Sequence, residues 1–297
     1  MKAYVFPGQG SQFPGMGKDL FDKLPVAKDL FLKADEVLGF KITEIMFNGS
    51  EEDLKQTKVT QPAVFLHSVI SVLSQIEKFD AQAVAGHSLG EFSALVVSGA
   101  LSFEDGLTLV YKRALAMQKC CEMQQSAMAA VLGLDADVIE NICSQSTTDN
   151  SIVVAANYNC PGQIVISGSV EAVDRATSSL EAAGARRVVK LPVSGAFHSP
   201  LMQPAKDELQ QAIASVSFKD PVCPVFQNVD ASSHTSAAEI KNNLIAQLTS
   251  PVRWTSTVEN MLAYGIDEFV EAGPGNVLQG LIKKVDKKIN VSHLPEC

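Results

Sequence analysis

The sequence predicts an α/β protein built of a larger unit with a smaller one inserted into it, and three observations predict this. Short apolar runs alternate with stretches of helical period along much of the chain. Between residues 126 and 193 that rhythm gives way to the order β-α-β-β-α-β, the split βαβ or ferredoxin-like pattern. Beyond residue 193 the alternation resumes. A larger domain of residues 1–125 and 194–297 and an inserted domain of residues 126–193 are therefore expected.

The elements follow in order. Lys2 to Phe6 reads as a strand and runs into a Gly-rich turn, Pro7-Gly8-Gln9-Gly10-Ser11-Gln12. Gln61 to Phe79 has a helical period. Ala81 to Ala85 is a short apolar run, followed by Gly86-His87-Ser88-Leu89-Gly90 and a helical Glu91 to Ser98. A long helix spans Phe103 to about Met123, with Ser102 as N-cap and Glu104 and Asp105 in the first turn, where acids complement the helix dipole. In the inserted unit, Met128–Leu132, Ile152–Asn157, Gln163–Ser167 and Arg187–Leu191 read as strands. Asp137–Ser144 and a Ser169-capped stretch ending at Gly184 read as its helices, and Pro161-Gly162 turns one strand into the next. Val222 to Val229 then reads as a strand and Ala237 to Leu248 as a helix. Ile266 to Glu271 is a strand whose turn, Ala272-Gly273-Pro274-Gly275, opens a helix over Asn276–Val285, and Ile289–His293 is a last strand.

Composition bounds the function. The chain has 297 residues, 46% hydrophobic and 19% charged, as a compact folded protein does. Its net charge is −9 and no basic stripe is interleaved with aromatics, so no nucleic-acid partner is expected. The apolar run at the N-terminus stops at Pro7 and Gly8, too short for a signal-peptide core, and no stretch approaches the roughly 18 apolar residues of a membrane span. Cys120, Cys121, Cys143, Cys160, Cys223 and Cys297 include no C-x-x-C pair, so no metal site or disulfide framework is expected. Reduced thiols in a cytoplasmic protein fit that pattern.

Gly86-His87-Ser88-Leu89-Gly90 fits G-x-S-x-G, which places a serine on a sharp strand-to-helix turn with its hydroxyl exposed. The helix start then offers backbone N–H groups to a developing oxyanion. A serine nucleophile needs a base. His87 adjoins it in sequence and should point elsewhere, His67 lies in an apolar helix, His234 in a Ser/Thr-rich loop and His293 near the C-terminus. His198, in Ser194-Gly195-Ala196-Phe197-His198-Ser199-Pro200, follows the inserted unit at the seam where a cleft would open. No acidic motif lies between Ser88 and His198, unlike the Ser, Asp or Glu, His order of α/β-hydrolases, and a backbone carbonyl is an alternative orienting group. The turn after the first strand lacks both a G-K-[ST] ending and a third fingerprint glycine, so it binds neither nucleotide phosphates nor a dinucleotide in the usual way. Arg113 lies in the long helix between Leu109 and Met117; spacing alone leaves a surface role and a site role open.

Taken together, these segments resemble the malonyl-CoA:acyl carrier protein transacylase family and, beyond it, acyltransferase domains of polyketide synthases. The resemblance rests on Phe6 to Gln12, Gly86 to Glu91, Arg113, Asn157 with Pro161-Gly162-Gln163, Gly195 to Ser199, Gln247 with Ser250-Pro251-Val252, and Glu271 to Gly275. It implies a large α/β-hydrolase-like domain with a parallel sheet and an inserted ferredoxin-like domain. It implies that Ser88 carries the acyl ester, that His198 is its base, and that the Gln247 carbonyl orients the imidazole. The Gln9 and Leu89 amides would form an oxyanion hole, and Arg113 would pair with the free carboxylate of malonate. Gln9, Asn157 and Met117 would line the substrate cleft. Phe197 and Leu89 resemble the malonyl-selective rather than the methylmalonyl-selective pattern. The implied partners are malonyl-CoA as substrate and acyl carrier protein as acceptor, in fatty acid biosynthesis, with no cofactor and a monomeric chain. Arg186, Arg187 and Lys190 are preferred over Lys283, Lys284, Lys287 and Lys288 as the docking cations for the carrier. A serine hydrolase and a non-catalytic carrier-binding module are the rival readings.

Overall fold

A computed structural model describes residues 1–193 and 195–295; Ser194 and Cys297, both named above, lie outside the described residues. Among the described residues ten strands form two sheets. The strands are β1 (Lys2–Phe6), β2 (Ala83–Gly86), β3 (Ser126–Leu132), β4 (Val153–Cys160), β5 (Gln163–Ser169), β6 (Arg187–Lys190), β7 (Val225–Phe226), β8 (Ser233–His234), β9 (Glu268–Glu271) and β10 (Asn290–His293).

The large sheet has the order β10-β9-β1-β2-β7-β8. All its pairings are parallel except the β7–β8 edge hairpin. Its centre is apolar on both faces, as a helix-covered parallel sheet requires. In β1, Tyr4 and Phe6 enter the core shared with Phe65, Phe92 and Leu107. Ala3 and Val5 face Trp254, Phe269 and Ile282 on the other side. The second sheet, order β4-β5-β3-β6, is wholly antiparallel and packs Ile139, Val173 and Leu180 from its two helices. Its connectivity is the split βαβ pattern.

Four hydrogen bonds fasten the small sheet to segments of the larger unit at a seam. Val252 N–H donates to the Ala156 carbonyl at 2.8 Å and Tyr158 N–H to the Val252 carbonyl at 2.9 Å. Ser126 Oγ accepts from Ala196 N–H at 3.0 Å, and Ser167 Oγ donates to the Phe197 carbonyl at 2.7 Å. The segment that carries His198 is thereby pinned against the small sheet.

Several elements differ from expectation. The strand expected over residues 222–229 shrinks to Val225–Phe226, because Gln227 and Asn228 leave the ladder to bond Glu91. His234, expected in a loop, sits in the short edge strand β8. The helices Pro25–Leu38, Gln203–Ala214 and Trp254–Tyr264 were not anticipated. Among the described residues no helix is long and apolar enough to cross a membrane.

Candidate active site

Strand β2 ends at Gly86, and the helix Gly90–Val97 begins four residues later. The turn between them is tight enough that both flanking glycines are obligatory. A Cβ on Gly86 would lie 1.9 Å from the Gly90 carbonyl carbon, and one on Gly90 would lie 2.0 Å from the Phe6 carbonyl oxygen. Ser88 at the apex has φ 52°, left-handed backbone that a side-chain-bearing residue rarely adopts. The turn after β1 crosses close by: a Cβ on Gly8 would meet the His87 carbonyl at 2.7 Å. That approach brings Gln9 beside Ser88 and Leu89 in one cleft.

His198 Nε2 stands 2.7 Å from Ser88 Oγ. Its Nδ1 faces two carbonyls, Gln247 at 3.0 Å and Ser250 at 3.2 Å. Carbonyls only accept, so Nδ1 carries the ring proton and Nε2 offers its lone pair to the serine hydroxyl. No acid is required to set this tautomer. Burial pushes His198 down to about 3, and the nearby Arg113 cation adds to the effect, so the imidazole is neutral at physiological pH and its Nε2 lone pair is free to take a proton.

Arg113 is 1% exposed and so holds no surface role. It projects from the helix Phe103–Met123 over the Phe92 ring, 5.6 Å from the ring centre. One terminal nitrogen donates to Gln61 Oε1 at 2.7 Å. The other donates to Ser88 Oγ at 3.0 Å and to Gln247 Oε1 at 3.3 Å. Its Nε has no partner, and among the described residues no carboxylate pairs with it. Burial holds its pKa down to about 10, which leaves it cationic. Here a buried guanidinium, favoured from a distance by the buried Glu91 but with no described carboxylate at ion-pair distance, sits against a serine oxygen.

The cleft has a volume of about 250 Å³. Gln9, Ser88, Leu89, Arg113, Met117, Asn157, Phe197 and His198 all line it. Gln247 stands behind them, holding His198 through its carbonyl, Arg113 through Oε1 and the Ser88 carbonyl through Nε2 at 3.0 Å. The sequence did not single out Gln61, Asn159 or Asn228. Gln61 Nε2 donates to Met117 Sδ at 3.3 Å while its Oε1 holds Arg113. Asn159 Oδ1 fixes His87 Nε2 at 2.8 Å, so His87 points away from Ser88. Of the expected docking cations, Lys190 is paired with Asp174 at 2.6 Å. Lys284 reaches Gln163, a residue of the cleft wall, at 3.1 Å.

Comparison with known proteins agrees with this geometry. The family described as acyl transferase domain matches residues 3–294. A malonyl CoA-acyl carrier protein transacylase from Bacillus subtilis (strain 168) is 44% identical over 292 residues, covering 97% of this chain and 91% of the relative. The solved malonyl CoA-acyl carrier protein transacylase from Coxiella burnetii superposes with a TM-score of 0.95 at 41% identity, covering 99% of this chain and 93% of that one. A malonyl-transacylase solved with its type II PKS acyl-carrier protein gives a TM-score of 0.93 at 41% identity, covering 98% and 94%. With its Ser88 elbow, carbonyl-held His198 and cleft-facing Arg113, the chain belongs to the acyl transferase domain family, among the malonyl CoA-acyl carrier protein transacylases.

Proposed function

We propose that this chain is an acyl-carrier-protein S-malonyltransferase, moving malonyl from malonyl-CoA to the phosphopantetheine thiol of acyl carrier protein in fatty acid biosynthesis. The observation that carries the reading is the buried Arg113 guanidinium, which no described carboxylate contacts, at 3.0 Å from Ser88 Oγ. A thioester bound at Ser88 would extend its acyl chain toward that cation, and only an acyl group ending in a carboxylate satisfies it.

The reaction runs in two halves through one ester. Ser88 Oγ gives its proton to His198 Nε2 and attacks the thioester carbonyl. The amides of Gln9 and Leu89 take the oxyanion, and the Leu89 amide donates to no described residue. The C–S bond breaks, and the departing coenzyme A sulfur takes the proton from His198. The carrier thiol then gives its proton to His198, and its sulfur attacks the malonyl-serine carbonyl. The C–O bond breaks, and Ser88 recovers its proton. Asn157, Met117 and Phe197 wall the cleft, with residues 126–193 acting as an inserted domain that closes one side. Every step is assigned to this chain's residues and the two thiols, without a cofactor. A cytoplasmic monomer is the setting we assign.

Intact mass after incubation with malonyl-CoA or acetyl-CoA, without carrier protein, tests the reading. A malonyl adduct absent from Ser88→Ala, with little acetyl adduct, supports it. Steady release of free malonate with no adduct would favour a hydrolase.

A further inference from the structure

Strand β7 lies beside β2, and Asn228, two residues past its end, reaches sideways into the turn that carries Ser88. Its side-chain oxygen accepts from the Ser88 N–H at 2.6 Å, and its side-chain nitrogen donates to the Gly86 carbonyl at 2.6 Å. One amide thus spans the turn. The backbone of Asn228 is itself anchored: its N–H donates to Glu91 Oε2 at 2.8 Å and its carbonyl accepts from Arg253 N–H at 3.1 Å. Glu91 is fully buried, and its other oxygen accepts from Gln227 Nε2 at 3.0 Å. Neither Asn228 nor Glu91 lines the cleft, so neither touches substrate.

Two consequences follow from that placement. Left-handed backbone at Ser88 persists only where the surroundings over-determine it, and Asn228 supplies a hydrogen bond on each side of the strained residue. The turn also presents three successive amides at a helix start, where the helix itself offers no partner. The Gly90 amide bonds the His87 carbonyl at 3.0 Å, and the Ser88 amide is taken by Asn228. Of the three, the Leu89 amide alone has no partner among the described residues, and Leu89 faces the cleft.

We propose that Asn228 is a positioning residue for acyl transfer: it locks the turn that presents Ser88 Oγ and leaves the Leu89 amide free for the oxyanion, with Glu91 holding Asn228 in place. The inference rests on Ser88 being the acyl carrier.

The test compares the full chain with Asn228→Ala and Asn228→Asp, reading single-turnover malonylation by malonyl-CoA, the KM for malonyl-CoA and folding by circular dichroism. Asn228→Ala should lower the acylation rate about 100-fold, the scale of one lost oxyanion donor, while KM stays within about twofold because Arg113 and the cleft wall are untouched. Asn228→Asp keeps an acceptor for the Ser88 amide but turns an oxygen toward the Gly86 carbonyl. Protonation of that carboxyl restores the donor, so its rate should climb as pH falls from 8 to 5, while the parent's stays level. Glu91 at the backbone of that position, and Arg113 and His198 across Ser88, are common to parent and variant. A folded Asn228→Ala with a rate within threefold of the parent, or with a raised KM at unchanged rate, overturns the proposal. If Asn228→Ala does not fold, Asn228→Asp decides, and parity with the parent at pH 8 overturns it. Malonyl label that survives Ser88→Ala would instead overturn the nucleophile reading beneath it.

Discussion

Ser88 and His198 lie 110 positions apart in the chain, yet their reactive atoms stand 2.7 Å apart and both residues hold left-handed backbone, φ 52° and 57°. Two strained residues facing each other are what a site built for proton transfer requires, since each side chain is presented by a turn that regular structure would not allow. The charge state of that pair governs the first prediction.

Because burial, with the Arg113 cation, holds His198 down to about 3, acylation of Ser88 should be level from pH 8 to 5 and fall only as pH nears that value. An ordinary histidine would halve the rate near pH 6.5. Stability carries the same signature. Below about 6.5 the unfolded chain takes up a proton that folded His198 refuses, so this contribution is present above 6.5 and is lost as pH falls toward 3. The slope reaches about 1.4 kcal/mol per pH unit, and His198→Ala should flatten it while lowering acylation on the order of 10⁴-fold. A rate profile with its midpoint near 6.5 would contradict the buried, carbonyl-held imidazole.

Removing the Arg113 fork should reverse selectivity. Arg113→Ala is expected to lower kcat/KM for malonyl-CoA by about 2–5 kcal/mol, roughly 30- to several-thousand-fold, and to change acetyl-CoA far less. Arg113→Lys keeps the charge but not the planar fork and should fall between. Competition between the two thioesters, read by adduct mass, measures the ratio. Equal losses for both substrates would assign Arg113 to holding Ser88 rather than to the carboxylate.

Much of this site was legible in the sequence because its parts sit at local landmarks. The G-x-S-x-G turn closes an apolar strand, and the long helix begins where Ser102 accepts from Asp105 N–H at 3.0 Å, as its capping pattern implied. His198 was found by elimination among the histidines and by its place at the seam. What stayed hidden acts across the fold. Asn228 is 140 residues from Ser88 and lies in a run that reads as plain strand, since nothing local marks a side chain that serves a neighbouring turn. Gln61 was equally silent, being one polar residue in an apolar helix whose partner, Arg113, is 52 residues away.

The glycines of the elbow should tolerate no side chain. Gly90→Ala would press a methyl group against the Phe6 and Pro7 carbonyls, at 2.0 and 2.9 Å, and backbone cannot swing aside as a side chain can. We expect a loss of about 3 kcal/mol or more from overpacking. Acylation should drop about 100-fold as the Gln9 amide is pushed from the cleft. Gly280→Ala, in the helix Val277–Val285 with nothing near the added methyl, is the control and should stabilise by up to about 1 kcal/mol. Denaturant melts of the two variants separate local collision from a general cost of replacing glycine.

Carrier docking should depend more on Lys284 than on Arg187, against the preference that the sequence suggested. In strand β6, Arg187 pairs with Leu132 at the end remote from the cleft-lining Leu191, and Lys190 is already engaged by Asp174. The helix that carries Lys283 and Lys284 instead contributes Val277, Leu278 and Leu281 to the cleft wall. Half-exposed Val277 sits at its start. A carrier bringing its thiol to Ser88 would pass this helix, and if its docking face is acidic, a cation at such a rim acts on encounter and on salt dependence. Lys284→Glu should raise the KM for carrier protein by about fivefold, near 1 kcal/mol for one rim charge, and the effect should shrink with added salt. Malonylation from malonyl-CoA, measured alone, should change less, and Arg187→Glu should leave both halves near the parent. A larger loss at Arg187 would return the docking face to the edge of the small sheet.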